Sequence, residues 1–283
     1  MKCFLVSDLH GNTAKYGRLL QSVEGEKPDA VFIAGDILPN QIAGGGNAGD
    51  FLEEVLLSPI HSLKARGIET RFFVIMGNDD PRKFEDVLLE ADEKGELDYV
   101  HNRKKMFCGY VVAGYAHVPP TPFLLKDWER YDVSRFVDVG AVSPEEGLRT
   151  VPVDARKVRF STIAKDLEKL AEGMDMERSL FLFHSPPYNT ALDRADLDGV
   201  SVDHAPVDVH IGSIAIQRFI EEKRPHLTMH GHVHESPRLT GCWMDNMEGT
   251  VMLSGAHDGS ELALVRFDPE KPSEAERELL PVE

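Results

Sequence analysis

Short apolar runs, each closed by polar residues, recur along the 283-residue chain at 3–6, 30–34, 72–76, 110–113, 180–183, 227–229, 251–253 and 262–265. Runs of this length, carrying Val, Ile and Phe, predict buried strands. Helical spacing lies between them. Leu52, Val55, Leu56, Ile60 and Leu63 fall three and four apart and predict a helix over 51–65, which Pro59 kinks or interrupts. Asp80-Pro81 reads as an N-cap with proline in the first helical position, opening a helix through Val87, Leu88 and Leu89. Residues 160–171 and 213–223 read as further helices. Strands alternating with helices predict an α/β layered domain.

Two stretches interrupt this rhythm. Residues 40–50 contain Gly44-Gly45-Gly46 and predict a mobile loop, without the Gly-Lys-Ser/Thr ending that a phosphate-cradling loop needs. Residues 117–157 hold Pro119, Pro120 and Pro122, then Phe123, Trp128, Tyr131 and Phe136 among charges. That segment reads as a lid, a dimer contact or an irregular insertion, the last being the plainest. Residues 1–267 are taken as one domain and 268–283 as a charged, peripheral tail. Arg103-Lys104-Lys105 reads as a solvated turn before a strand.

Hydrophobic residues make up 42 % and charged residues 28 %, as in an ordinary globular protein, but the formal net charge is -17. No basic stripe is present to neutralise a nucleic-acid backbone, so extended DNA or RNA is not an expected partner. A small phosphate ester stays open, because bound cations would reverse the local field. No run reaches the roughly 18–20 apolar residues of a membrane span. The start reads as a strand rather than a signal peptide. Cys3, Cys108 and Cys242 form no spaced framework, which points to a reducing cytoplasm. Self-association is left open.

The informative polar residues sit where the apolar runs end: Asp8-Leu9-His10, Gly35-Asp36, Gly77-Asn78-Asp79-Asp80, His184, and His230-Gly231-His232-Val233-His234. Open α/β sheets place their sites at the C-terminal ends of strands. Each motif alone is weak, but the ordered set predicts a metal site. Mixed carboxylate, amide and imidazole donors suit Mn, Fe, Zn, Ni or Co rather than an all-oxygen calcium cage. No Gly-x-Ser-x-Gly elbow, Cys/His zinc spacing or dinucleotide fingerprint competes.

In this order the motifs resemble those of the calcineurin-like metallophosphoesterase superfamily. The resemblance implies a four-layer αββα sandwich with two mixed β-sheets. It further implies one metal on Asp8, His10, Asp36 and His234 and a second on Asp36, Asn78, His184 and His232, with Asp36 shared. The implied activity is hydrolysis of a small phosphodiester by a hydroxide bridging two divalent metals, manganese being the leading expectation. Phosphomonoesterase or nucleotide pyrophosphatase activity with the same metals is the alternative. A non-catalytic interaction module, as in the retromer subunit resembling this superfamily, is a third reading.

Many family members carry histidine directly after the motif asparagine, whereas this chain has Asp79. An exposed aspartate is ionised at neutral pH, which removes an efficient general acid and lowers the positive charge around the metals. Diesters are then favoured over dianionic monoesters. Alternatively, Asp79 faces away and helps cap the following helix. The Asp-Arg-Gly element of the protein Ser/Thr phosphatases and the tyrosine of the purple acid phosphatases are both missing after Asp36. Ser185-Pro186-Pro187 and His210-Ile211-Gly212-Ser213 look more like the small stand-alone phosphodiesterases, which makes His210 a candidate for the substrate pocket. His117 and His204 are weaker candidates, and His230 is expected to point away from the metals.

Overall fold

A computed structural model describes residues 1–39 and 48–282. The glycine-rich part of the expected 40–50 loop therefore lies outside the described residues. The strands are β1 (Cys3–Val6), β2 (Ala30–Ala34), β3 (Arg71–Ile75), β4 (Asp98–Tyr99), β5 (Lys104–Phe107), β6 (Tyr110–Tyr115), β7 (Ser179–Phe183), β8 (Ser201–Val202), β9 (Ala205–Pro206), β10 (Leu227–His230), β11 (Met244–Met247), β12 (Thr250–Ser254), β13 (Leu262–Phe267) and β14 (Glu276–Leu280). The helices are α1 (Thr13–Glu26), α2 (Ala48–Phe51), α3 (Ser58–Ala65), α4 (Glu85–Glu93), α5 (Ala155–Phe160), α6 (Ile163–Ala171), α7 (Ile214–Lys223) and α8 (Ser236–Thr240).

Two six-stranded sheets form, ordered β14-β13-β1-β2-β3-β4 and β11-β12-β10-β7-β6-β5. In the first, β1 to β4 run parallel, β13 is reversed beside β1, and β14 pairs antiparallel with β13. In the second, β12, β10, β7 and β6 run parallel, with antiparallel β11 and β5 at the edges. Both sheets are mixed. Period-two alternation explains how they stack. Leu180 and Leu182 of β7 join one core with Phe32, Phe73 and Leu5 of the first sheet. Phe181 and Phe183 point the other way, against Leu167, Ile216 and Phe219 of α6 and α7. Tyr16 and Leu19 of α1 and Leu63 of α3 cover the remaining face of the first sheet. The result is the four-layer αββα sandwich, and both faces of each central strand are apolar because both are covered.

Several sequence expectations change. The tail is not merely peripheral: β14 pairs with β13 from Leu262↔Leu280 to Arg266↔Glu276, and buries Leu280. Its alternating Glu-Arg-Glu pattern hid an edge strand with one solvated side. Lys104 and Lys105 lie in edge strand β5 rather than in a turn, their charges suiting an unpaired edge. The 51–65 helix is continuous but widens into a π-helical turn over Leu52–Leu57, where Ser58 N–H donates to Glu53 O. That wider turn accommodates Pro59, which has no N–H and would crowd the carbonyl four residues back. The 160–171 helix is two helices, broken where the Thr162 side chain accepts from Lys165 N–H and caps α6. Asp80 does not cap α4. A 3-10 turn (Arg82–Phe84) precedes α4, and Asp127 accepts the Arg82 N–H instead.

Residues 117–157 contain little regular structure, yet they are packed. Trp128 is fully buried beside His101 and His117, with the Arg82 guanidinium over its ring at 5.0 Å. Among the described residues, no helix is long and apolar enough to cross a membrane. Truncation after Glu274 removes β14 and exposes the edge of β13. Losing the burial of Leu280 alone costs about 2 kcal/mol, so the melting temperature should drop by roughly 5 °C, measurable by thermal denaturation.

Candidate metal centre

The loops that follow β1, β2, β3, β7 and β10 converge at one end of the two sheets. Backbone bonds lock the first two together: Asp8 N–H donates to Gly35 O (3.1 Å) and His10 N–H to Asp36 O (2.8 Å). Asp8, His10, Asp36 and His232 all adopt left-handed backbone, with φ of 57°, 44°, 52° and 73°. Non-glycine residues enter this region at a cost of roughly 1–2 kcal/mol each, and such strain concentrates at functional sites. Gly77 is required at its position because a Cβ there would overlap Asp36 Oδ1 and crowd His184.

Ligand atoms of Asp8, His10, Asp36 and His234 all lie within 4.8 Å of one another. His10 Nε2 and His234 Nε2 are 3.1 Å apart, and His234 Nε2 is 3.1 Å from Asp8 Oδ1. A second group adjoins the first. His184 Nε2 is 3.0 Å from Asn78 Oδ1 and 3.2 Å from Asp36 Oδ2, and the His184 and His232 rings are 5.1 Å apart. The same Asp36 Oδ2 lies 3.9 Å from His10 Nε2, so it faces both groups. Its other oxygen is held by the Asp79 N–H at 2.9 Å. Asp8, Asp36, Asn78 and His184 are buried, whereas His10 and His234 are about a third exposed and form the open side.

Neighbouring groups orient these donors. His184 Nδ1–H donates to Ala34 O at 2.6 Å, which turns Nε2 toward Asp36 and Asn78. Asp8 accepts the His232 N–H at 3.1 Å, tying the first motif to the last. Asp79 does not face away. Its Oδ1 accepts from Asn78 Nδ2 (2.9 Å), leaving Asn78 Oδ1 toward His184, and its Oδ2 lies 3.8 Å from His10 Nδ1. It is not an ordinary exposed carboxylate either: burial, then the charge of Asp36, pushes its pKa up.

Asp80 belongs to the Gly77–Asp80 motif, but the part it plays was not foreseen. Its buried carboxylate accepts from Gly77 N–H (2.8 Å), Ile37 N–H (3.1 Å) and Leu38 N–H (2.8 Å), clamping the β2 and β3 loops. Nothing local signals this role, because two of its partners lie more than forty residues away. Asp193 was also missed. It is fully buried and accepts from Asn189, Thr190 and Gly212 N–H groups, and His210 Nδ1 lies 2.8 Å from it. His210 stands on the wall of a cavity that also touches His232. His117 is buried among aromatic rings, and His204 sits at the tip of the β8–β9 hairpin; neither lines that cavity. His230 does point away, with Nδ1 3.0 Å from Ser185 O and Nε2 2.7 Å from Thr228 Oγ1.

The electrostatics are those of a cation site. Burial alone would neutralise Asp8 and Asp36, but the adjacent histidines outweigh it and hold both carboxyls below their usual range. Burial likewise opposes charge on His184 and His234. Asp36 nevertheless lifts His184 to about 10, and Asp8 lifts His234 to about 9. His232 is pushed down to about 3, first by burial and then by the charge of His184. In the metal-free chain, protons on two imidazoles therefore occupy positions that cations would take. The residues fit divalent metals.

A sequence profile of the calcineurin-like phosphoesterases matches residues 1–236. The chain belongs to the calcineurin-like phosphoesterase family. It is thus a hydrolase of phosphoric ester bonds, in a family that normally binds a dinuclear metal site. No curated protein matches the sequence. Solved structures are similar in fold. A protein of Thermus thermophilus, TT1561, superposes with a TM-score of 0.59 at 14 % identity over 99 % of both chains. A dimetal phosphatase from Danio rerio gives 0.51 at 12 % identity, covering 94 % of this chain and 91 % of its own. The phosphopantetheinyl hydrolase of Mycobacterium tuberculosis gives 0.50 at 14 %, covering 90 % and 89 %.

Raised imidazole values set the sign of a pH effect. In the chelated calcineurin-like chain, the His184–Asp36 and His234–Asp8 pairs contribute stability in full below the ordinary imidazole value of 6.5, and lose it as pH rises through about 9 to 10. Metal loading must expel those protons. Titrating Mn2+ into chelated protein at pH 7 should therefore release protons, and affinity should rise between pH 6 and 9. Calorimetry in buffers of different ionisation enthalpy checks this. Asp80→Ala leaves three buried N–H groups unsatisfied and should cost at least about 3 kcal/mol in urea denaturation.

Proposed function

We propose that the chain hydrolyses a small phosphodiester, with Asp8, His10, Asp36 and His234 holding one divalent cation and Asp36, Asn78, His184 and His232 a second. The observation that carries this reading is Asp36 Oδ2, which faces His10 on one side and His184 on the other while the Asp79 N–H restrains its partner oxygen. When bound, two such cations supply an acidified water as nucleophile and positive charge for the phosphoryl oxygens.

The chain's own residues do the rest. Ala34 O fixes the His184 tautomer, and the His232 N–H orients Asp8. Asp79 keeps the Asn78 amide oxygen turned inward. Its carboxylate, beside His10 at the open side, opposes a second negative charge on the phosphoryl group, which supports a diester over a dianionic monoester. Asp193 orients His210 on the cavity wall, where it contacts the organic part of the ester.

Carboxylate, amide and imidazole donors without a thiolate support manganese as the resident metal. Three free cysteines, two of them exposed, support a reducing cytoplasm. The acidic balance supports a small substrate over extended nucleic acid.

The test loads purified protein with Mn2+, measures bound metal, and compares bis-p-nitrophenyl phosphate with p-nitrophenyl phosphate. The diester should have the higher kcat/KM, and chelation should abolish both activities. Asp79→His should raise the monoester-to-diester ratio about tenfold. A parent enzyme that prefers the monoester overturns the diester reading. An unchanged ratio in the variant removes Asp79 from it.

A further inference from the structure

The cavity beside His232 has a volume of about 360 Å³, within the range of small-molecule sites. Its walls come from the irregular segment after β6 and from the stretch before α7. Phe123, Val133, Phe136, Tyr188 and Ile211 make it largely apolar. Phe123 and Phe136 are 59 % and 71 % exposed, an aromatic cost in water that a ligand at the mouth would relieve.

The wall is built rather than loose. Inside the irregular segment, Lys126 and Glu129 form a fully buried ion pair. Lys126 Nζ donates to Thr121 O (2.8 Å), and Glu129 accepts the Thr121 N–H (2.8 Å) and hydroxyl (2.5 Å). This network fixes the proline-rich turn that carries Phe123, so the wall is preorganised for its ligand.

The charges lining the cavity all have one sign. Asp138, Asp208 and Glu235 reach it, and among the described residues none of the three has a cationic partner. Among the described residues, Asp208 accepts from the Tyr188 hydroxyl (2.7 Å) and the His210 N–H (2.9 Å). The fourth carboxylate, Asp132, is committed to the start of α7 through Ser213 Oγ and Ile214 N–H. No lysine or arginine among the described residues lines the cavity.

Since His232 stands on this wall, an ester whose phosphorus sits at the metal centre extends its remaining atoms into the cavity. We propose that the cavity selects an apolar organic arm that bears no anionic group, an alkyl or aryl arm ending in an ammonium group being the best fit. This rests on the metal-dependent phosphodiesterase reading above. Aromatic faces and unpaired carboxylates attract an organic cation, whereas a further phosphate or carboxylate on the substrate meets like charge with no base to receive it. Phe123, Phe136, Asp138 and Asp208 are the specificity-determining residues.

The test uses Mn-loaded protein and three p-nitrophenyl phosphodiesters whose four-atom arms end in trimethylammonium, methyl or carboxylate, with methyl p-nitrophenyl phosphate as an ester too short to fill the cavity. The carboxylate ester should show kcat/KM at least about tenfold below the methyl-ended one, and the trimethylammonium ester should equal or exceed it. Asp138→Asn with Asp208→Asn should narrow the carboxylate-to-methyl gap, and Phe136→Ala should raise KM for the long arms more than it lowers kcat. Equal kcat/KM for the three arms overturns the inference while leaving the phosphodiesterase reading in place. If no ester is hydrolysed, that reading falls instead. Calorimetric binding of 4-phenylbutyltrimethylammonium against 4-phenylbutyrate then decides the cavity: preference for the ammonium sustains the inference, and equal or no binding overturns it.

Discussion

Two buried carboxylates, Asp8 and Asp36, stand against a cluster of imidazoles at the point where two sheets end, and the rest of the structure serves that juxtaposition. Without cations the charges are balanced by protons on His184 and His234, held there well above the ordinary imidazole value. Four residues of the cluster also sit in left-handed backbone. Both features cost free energy, and both persist because the surrounding bonds over-determine them. The Asp80 clamp on three backbone N–H groups, the Gly35 and Asp36 carbonyls and the Ala34 carbonyl act from behind the donors. A rigid frame of this kind presents oxygen and imidazole atoms to metal without having to order them on binding.

The sandwich makes such a frame practicable. Both sheets direct their central parallel strands the same way with respect to the site, and both are covered on their outer faces by helices. The loops that carry the candidate donors are therefore anchored on strands buried on both sides. The irregular segment after β6 stands outside this frame and has a different task. Its buried Lys126–Glu129 pair is a costly choice for stability alone, since such pairs seldom gain more than an apolar replacement would. What it does is hold a turn in place where regular secondary structure is lacking, and that turn walls the cavity next to the metal centre.

Asp79 shows how a single departure from a family pattern acquires meaning only in three dimensions. In the chain it is a carboxylate directly after the motif asparagine. In the fold it is a hydrogen-bond acceptor for Asn78, a neighbour of His10 and a backbone donor to Asp36. One residue thus touches both clusters of candidate donors, and a helix-capping role is taken by other residues.

Much of the fold and most of the centre were legible because their signals are local. Short apolar runs mark strands that are buried on both faces, and a donor residue directly after such a run has no freedom to lie elsewhere than at the strand end. Edge strands β5 and β14 were hidden, since half of their residues face water and their composition resembles that of a loop. The π-helical turn and the break before α6 depend on backbone bonding that spacing does not encode. The chain alone therefore determined the layer type, most strands of the core and the polar side chains that gather at the strand ends. Tertiary structure decided which groups aim those donors, how Asp80, Asp193 and Asp79 are used, and what kind of cavity adjoins them. Those outcomes depend on partners tens to hundreds of residues away, whose distances exist only once the two sheets have closed on one another.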